Sequence, residues 1–400
     1  MIPSLNAILW ADWFFLKDLP RREKRNRMHV WYRDFVESGF RLPSVRDGDV
    51  VFFRSLVRDD YRDSFHAVIR ASGVRNPVVV EDYKSRLPPP RLNIHASRFL
   101  LRNTDILGQI DAPDPLIRTI LFIRSSMYAF IRDHFGNVRP KVVVFFADMQ
   151  PTEHLLALHF RQMGVPTVTL QHGLYVDYGD YDTVNRINYL HQPSQYFLSW
   201  GPETSELIAR HHPTTRIVEC GKPLIFNADP PAGAGATRPY VALLLDQKPF
   251  HAQNEQMIEI VRAFALRKGL DVKVRFHPSL PKAAILEKYP GMEEQLHFTD
   301  AELVIGHTSS LLYEALALGC RVLRFASEIP AIALPERNEF TTLRQLEAKS
   351  GLPQPDDLWR RYFIAIGEDA LKNYGVFFDA LLNGPKMKTA ATHGPVRWSM

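Results

Sequence analysis

Three apolar runs of this chain stop on residues that can hold phosphate or move a proton: VTLQHGLYVDYGDYD (168–182), DVKVRFHPSLPK (271–282) and AELVIGHTSSLLYEALALG (301–319). In the third, a strand-like run gives way at His307-Thr308-Ser309-Ser310 to a helix-like one. The free N–H groups and positive end of a helix suit phosphate, and hydroxyls add donors. Thr308, Ser309 and Ser310 are therefore candidate phosphate ligands. Glu314, one turn on, is a candidate acceptor for hydrogen bonds from a sugar diol. The plain alternative is that Thr308 or Ser309 only caps the helix and Glu314 is a surface or capping-box residue.

In the second run, His277 closes a strand and Pro278 stops it. Its imidazole can donate to a phosphate oxygen, with Arg275 or Lys282 adding charge; a structural histidine before a turn is the alternative. In the first run, Gln171, His172 and Gly173 end a strand. An imidazole titrating near neutrality is a candidate general base for a hydroxyl nucleophile. Glycine there permits close backbone approach or a positive φ. Asp177, Asp180 and Asp182 are rival bases, or partners that orient His172. Asp148, which ends VVVFFAD, and Glu153 form a further pair at a strand end, with Asp148 the second candidate base. Gln247 and Lys248 follow YVALLL and are within reach of a diphosphate, and Lys222 in CGKPLIF lines the approach to a linker.

The elements that must position these residues alternate along the chain. DVVFFRSL, NPVVVEDY, KVVVFFAD, PTVTLQ, QYFLSW and RIVECG read as strands. YRDSFHAVIRASG, PLIRTILFIRSSMYAFIRDHF, PTEHLLALHFRQMG and PETSELIARHH read as helices, with Pro151 suiting a first turn and Gly73 and Gly164 a helix end. NADPPAGAGATRP (227–239) has no apolar period and reads as a linker. The alternation then restarts with YVALLL, DVKVRF, AELVIG and RVLRF as strands and helices over 252–267, 281–288 and 309–318. Strands alternating with helices predict parallel sheets covered on both faces. The expected organisation is an α/β domain over 1–226 with a helical lead-in over 1–48, the linker, a second α/β domain over 240–354, a helical segment over 355–383 and a loose tail over 384–400. Ligands of open parallel sheets sit at strand carboxyl ends, where every motif above falls.

Bulk composition narrows the function classes. The 400 residues are 46% hydrophobic and 23% charged, enough to bury large cores. A net charge of +5 suits anionic substrates or a membrane surface but is too small to argue nucleic acid. The two cysteines, Cys220 and Cys320, are far apart and read as buried thiols of a reducing compartment, the cytoplasm. Charge interrupts every apolar run well short of the ~20 residues that a membrane helix needs. LNAILWADWFFLKDLPRREKRNR places its basic part after its apolar part, the wrong order for a secretion signal. Residues 10–27 read either as an amphipathic helix on the cytoplasmic face of the inner membrane, with Trp10, Trp13, Phe14 and Phe15 inserted, or as a first helix packed on the core.

Taken together, QHG (171–173), GKP (221–223), FHP (276–278) and HTSS…YEALALG (307–319) resemble bacterial GT-B transferases that build surface polysaccharides. The nearest patterns are CDP-glycerol glycerophosphotransferase-like proteins and capsule transferases using CMP-activated acidic sugars, and the resemblance covers roughly residues 140–325. It implies two Rossmann-type domains facing across a cleft, and transfer from a nucleotide-sugar donor to a glycan or lipid-linked glycan acceptor. It implies His172 as catalytic or acceptor-side histidine and His277 on the donor phosphate. Thr308, Ser309 and Ser310 would hold that phosphate and Glu314 the donor ribose. No metal or other cofactor is expected, and CMP or CDP is favoured over UDP. Cys320 stands where such families have proline. His307-Thr308 replaces the Asp-Tyr of glycerophosphotransferases, which favours a sugar donor. A UDP-GlcNAc 2-epimerase-like enzyme shares the two-domain plan, although HTSS lacks the glycines of its usual phosphate turn. A non-catalytic nucleotide- or glycan-binding subunit of an assembly complex is the alternative of another class.

Overall fold

The computed structural model of the chain describes residues 16, 20–32, 42, 44–56, 58–81, 98, 100–102, 104–110, 114–224 and 238–384. The expected linker, save residues 238 and 239, and the expected tail beyond 384 lie outside these. So do Trp10, Trp13, Phe14, Phe15 and Lys17.

Helix α1 (Arg21–Tyr32) precedes the first alternation. There follow β1 (Val50–Arg54), α2 (Asp59–Ala71), β2 (Val78–Glu81), α3 (Pro115–Phe135), β3 (Val142–Phe145), α4 (Pro151–Gln162), β4 (Thr167–Leu170), α5 (Ile187–Leu190), β5 (Tyr196–Ser199), α6 (Pro202–His211) and β6 (Arg216–Glu219). Strand order is β2-β1-β3-β4-β5-β6, every pair parallel. The inner strands β3, β4 and β5 are buried at every residue. That explains their unbroken apolar runs, because a parallel sheet is covered on both faces. Asp114 starts α3 by accepting from the Leu116 N–H at 2.9 Å, and Lys24 of α1 pairs with the same carboxylate at 3.0 Å. Helix α1 thus docks on α3, while Arg21, Arg22, Arg25 and Arg27 stay exposed. No described helix is long and apolar enough to cross a membrane.

The second sheet is built from β7 (Tyr240–Leu244), α7 (His251–Lys268), β8 (Asp271–Arg275), α8 (Lys282–Lys288), β9 (Met292–Glu294), β10 (Leu303–Gly306), α9 (Ser310–Ala317), β11 (Val322–Phe325), β12 (Glu339–Phe340) and α10 (Leu343–Lys349). Its order is β12-β11-β10-β7-β8-β9, again all parallel. Strands β9 and β12 were not read from sequence: they have three and two residues, too few for an apolar run.

The last helix, α11 (Gly367–Asn383), returns to the first domain. Phe378 packs on Phe52 with ring centroids 5.9 Å apart, Phe377 on Tyr196 at 5.7 Å, and the Tyr374 hydroxyl donates to the Gly221 carbonyl at 3.2 Å. Buried rings contribute about 1.5–3 kcal/mol each, against about 0–1 kcal/mol for a surface ion pair, so apolar packing fastens this helix. The returning strand threads past two glycines. A Cβ on Gly201 would lie 2.6 Å from the Tyr362 carbonyl oxygen, and one on Gly221, whose φ is +91°, would meet that of Ala365. Backbone bonds Ile364 N–H to Trp200 O (2.9 Å), Lys222 N–H to Ala365 O (2.9 Å) and Gly367 N–H to Lys222 O (3.0 Å) complete the seam. Both domains share one apolar cluster there, including Tyr175, Trp200, Leu312, Tyr313, Tyr362 and Phe363.

Gly221→Ala should therefore cost at least about 2 kcal/mol, through overpacking and a disfavoured φ. Thermal denaturation checks this; a melting temperature equal to wild type would show that the seam tolerates a side chain.

Candidate functional site

In each sheet the strand order reverses once, between β1 and β3 in the first and between β7 and β10 in the second. The loops leaving neighbouring strands diverge at these points and open a crevice at the carboxyl ends. At the second sheet's crevice sits Asp246, a residue that sequence reasoning passed over in favour of its neighbours Gln247 and Lys248. Its carboxylate accepts the Thr308 N–H at 2.7 Å and faces His307 Nδ1 at 3.3 Å. Its own N–H and carbonyl are both paired with the Asn254 amide, each at 3.0 Å. His307 is fully buried, between Phe250 and Phe325, with Nε2 2.8 Å from the Ser327 hydroxyl. The signal was present in sequence: an acid directly after a buried strand needs a partner.

This frame presents Thr308, Ser309 and Ser310, all half-buried, at the start of α9. Ser309 is the cap residue, with extended backbone, yet its hydroxyl makes no capping bond to the helix. His277 stands on the adjacent loop. Its Nδ1 accepts the Ser279 N–H at 3.2 Å and lies 2.8 Å from the Ser279 hydroxyl, which itself accepts the Lys248 N–H at 3.1 Å. Nδ1 being an acceptor, the neutral ring carries its proton on Nε2. Burial, then the charge of Arg58, lowers the His277 pKa against the opposing pull of Asp246, so the ring is a neutral donor. Lys248 is exposed and serves His277 through its backbone, and Gln247 is half-buried beside it. The charge expected from Lys282 goes to Glu294 instead. Arg275 donates to the Leu296 carbonyl; burial lowers its pKa, and Glu314 and Asp60 pull against that.

Glu314 is buried and pairs with Lys222 of the first domain at 3.3 Å, and that ammonium lies 4.2 Å over the Trp200 ring. The candidate ribose acceptor and the candidate hinge lysine therefore meet across the two domains.

On the first-domain wall His172 is half-buried, with the Tyr175 hydroxyl 3.0 Å from Nδ1 and the rings of Tyr61, Phe146 and Tyr175 around it. Burial pushes its pKa down to about 4, opposed by bonding to Leu170 and Asn188 and reinforced by Arg58. The carboxylates expected to orient it are elsewhere: Asp177 bonds Gly179 and Arg210, and Asp180 and Asp182 are exposed. Tyr175 takes that place.

Four residues expected at the site are placed otherwise. Asp148 is completely buried, with Oδ2 accepting the Ser194 N–H at 2.9 Å and its other oxygen unpartnered among the described residues, so it cannot touch a substrate in the cleft. Glu153 is equally buried, its oxygens on the Ser55 N–H and hydroxyl at 2.8 and 2.7 Å. Gln171 is a clamp: it donates to Gly173 O (2.8 Å) and Thr204 Oγ1 (2.9 Å) and accepts from Trp200 N–H (2.6 Å). Gly173 has neither a positive φ nor a crowded Cβ position. A strand end says that a residue is near the rim; it does not say which way its side chain turns.

No family model matches the chain, and no curated protein matches it by sequence. Solved structures do. UDP-GlcNAc 2-epimerase of Methanocaldococcus jannaschii, in complex with UDP-GlcNAc and UDP, aligns over 83% of this chain and 99% of its own, at TM-score 0.53 and 14% identity. The fold is GT-B-like. The UDP co-structure of S. aureus MnaA aligns over 86% and 99%, at TM-score 0.50 and 12% identity. The apo form of the lipopolysaccharide outer core galactosyltransferase WaaB aligns over 82% and 99%, at TM-score 0.42 and 11% identity. At such identities the likeness is one of fold.

Buried ionisable groups set the pH response of this GT-B fold. Burial depresses His159 to about 4, His172 to about 4 and His191 to about 2, from 6.5. Their contribution is present above about pH 6.5 and is lost as pH falls through the folded values. Asp148, raised by burial from 3.8 to about 7, acts in the opposite sense: its contribution is full below 3.8 and is lost as pH rises through 7. Asp148→Asn should then gain melting temperature relative to wild type between pH 5 and pH 8. A difference constant over that range would contradict the shift.

Proposed function

We propose that this chain transfers a glycosyl group from a nucleotide-activated donor to a hydroxyl of a bacterial surface glycan, of capsule or lipopolysaccharide type. The observation that supports the reading is that the loops after β7, β8 and β10, neighbouring strands of the second sheet, are tied together by Asp246 to Thr308 and by Lys248 to the Ser279 that holds His277. As the bond from the sugar's anomeric carbon to phosphate breaks, its electron pair passes to the phosphate oxygen. Donors already aimed there stabilise that charge without reorganising. His277 and the 308–310 helix start supply them, with Arg275 adding charge, and no metal is invoked. The acceptor oxygen forms the new bond and its proton passes to His172. A resting pKa of about 4 makes His172 a weak base, and a bound anion beside it would raise that value. Glu314 takes the ribose diol if Lys222 shares its carboxylate. A lipid-linked acceptor would meet the chain at a membrane surface, where the exposed arginines of α1 offer charge.

UDP replaces CMP or CDP as the first nucleotide to test, since the two best-matching structures reported above contain UDP or UDP-GlcNAc. The same two matches favour a second reading, epimerisation of a UDP-sugar.

His277→Ala and Ser309→Ala should raise donor KM or lower kcat by roughly 10–1000-fold. Wild-type kinetics in both would remove the phosphate-site assignment. His172→Ala should leave UDP affinity intact and lower kcat; unchanged turnover would take the base role away from it. Assay of UDP-, CDP-, CMP- and GDP-sugars with and without a glycan acceptor separates transfer from epimerisation, which needs no acceptor.

A further inference from the structure

The first domain contributes a cation that neither motif nor strand-end reasoning pointed to. Arg58 lies just past β1, at the point where the first sheet reverses its strand order. Its guanidinium is laid 4.1 Å over the Tyr61 ring and donates to the Tyr61 hydroxyl at 3.0 Å. Asp60 holds the other edge, Nε to Oδ1 at 3.0 Å and Nη2 to Oδ2 at 2.6 Å. Tyr61 in turn stands edge-on to the His172 ring, centroids 6.1 Å apart. A stacked and bidentate guanidinium has lost much of its rotamer freedom before any ligand arrives. Its side chain remains 44% exposed.

The charge of Arg58 is felt on both walls of the cleft. It acts on His172 beside it and on His277 and Arg275 of the second domain. Asp60, paired with Arg58, also acts electrostatically on Arg275 of the second domain. An anion placed between the walls competes with Asp60 for the Arg58 guanidinium and adds a second attraction to Arg275.

We infer that Arg58 is the cation the first domain supplies to the leaving phosphate of a nucleotide-activated donor, with Asp60 as its competitor. This rests on the phosphate site proposed above. As the bond from anomeric carbon to phosphate breaks and its electron pair passes to the phosphate oxygen, Arg58 exchanges part of its pairing with Asp60 for that oxygen. The acceptor oxygen takes over the carbon, and the acceptor proton leaves to the base. The grip then closes from both domains, so the phosphate itself favours the closed cleft.

The test is calorimetric binding of UDP and CDP to the full chain, with turnover measured alongside. Arg58→Ala should weaken binding of the nucleoside diphosphate about tenfold or more and lower kcat by roughly 100–1000-fold. Added guanidinium ion should restore part of that kcat, which a merely structural defect would not allow. Arg58→Lys should recover only part, keeping charge but losing the two-pronged contact. Asp60→Asn should move the other way and tighten UDP binding, because it removes the competitor. If Arg58→Ala binds and turns over like wild type, or Asp60→Asn weakens UDP binding, the inference is overturned while the phosphate site stands. If wild type binds neither UDP nor CDP, the phosphate site falls and the role of Arg58 falls with it.

Discussion

A single charge-assisted hydrogen bond, from the Thr308 N–H to the buried Asp246 carboxylate at 2.7 Å, joins the two loops of the second sheet's crevice. Such a bond is worth about 1.5–3 kcal/mol, more than a neutral one. Its geometric effect is larger than its energy. It fixes the loop after β10 against the loop after β7, and the Lys248 N–H ties that loop in turn to Ser279 beside His277. Asp246 is held in its turn by Asn254 from α7, and the far side of the loop by buried His307. Without that frame the hydroxyls of residues 308–310 would only start a helix.

A second constraint acts between the domains. The threaded segment 362–367 binds the edge of the first sheet through backbone hydrogen bonds, and α11 buries its aromatic rings there. The chain thus crosses from one domain to the other and returns. Lys222, on the crossing, is paired with Glu314 inside the second domain. A buried pair of this kind adds little net stability, since desolvation cancels most of the attraction, but removing one partner leaves a costly buried charge. Its consequence is positional: the nucleotide side and the hinge answer to the same carboxylate.

The chemistry follows from how these constraints distribute charge. On the proposed reading, the second domain offers neutral and backbone donors to an anion, while cations come from both sides of the cleft: Arg275 from one and Arg58 from the other. His172, neutral and ringed by aromatics, faces the same space. A polar opening between two apolar-cored domains is a low-dielectric place, where each donor counts for more than it would in water.

The amino-acid sequence by itself determined the longer elements and their alternation, because an inner strand covered on both faces is apolar along its length, and that is a local property. It also determined the start of α9, where serines follow a buried strand, and the turn after His277, where a proline stops a strand. Which strand-end side chains turn outward and which turn into the core was decided by tertiary structure. Asp148 and Gln171 occupy rim positions much as His172 does, yet packing turns them inward to Ser194 and to Thr204 and Trp200. Arg58 carries no sequence mark at all, and Glu314 meets Lys222 across 92 residues of chain. Those meetings depend on strand order and on a chain that comes back to its first domain, and no local pattern of residues encodes either.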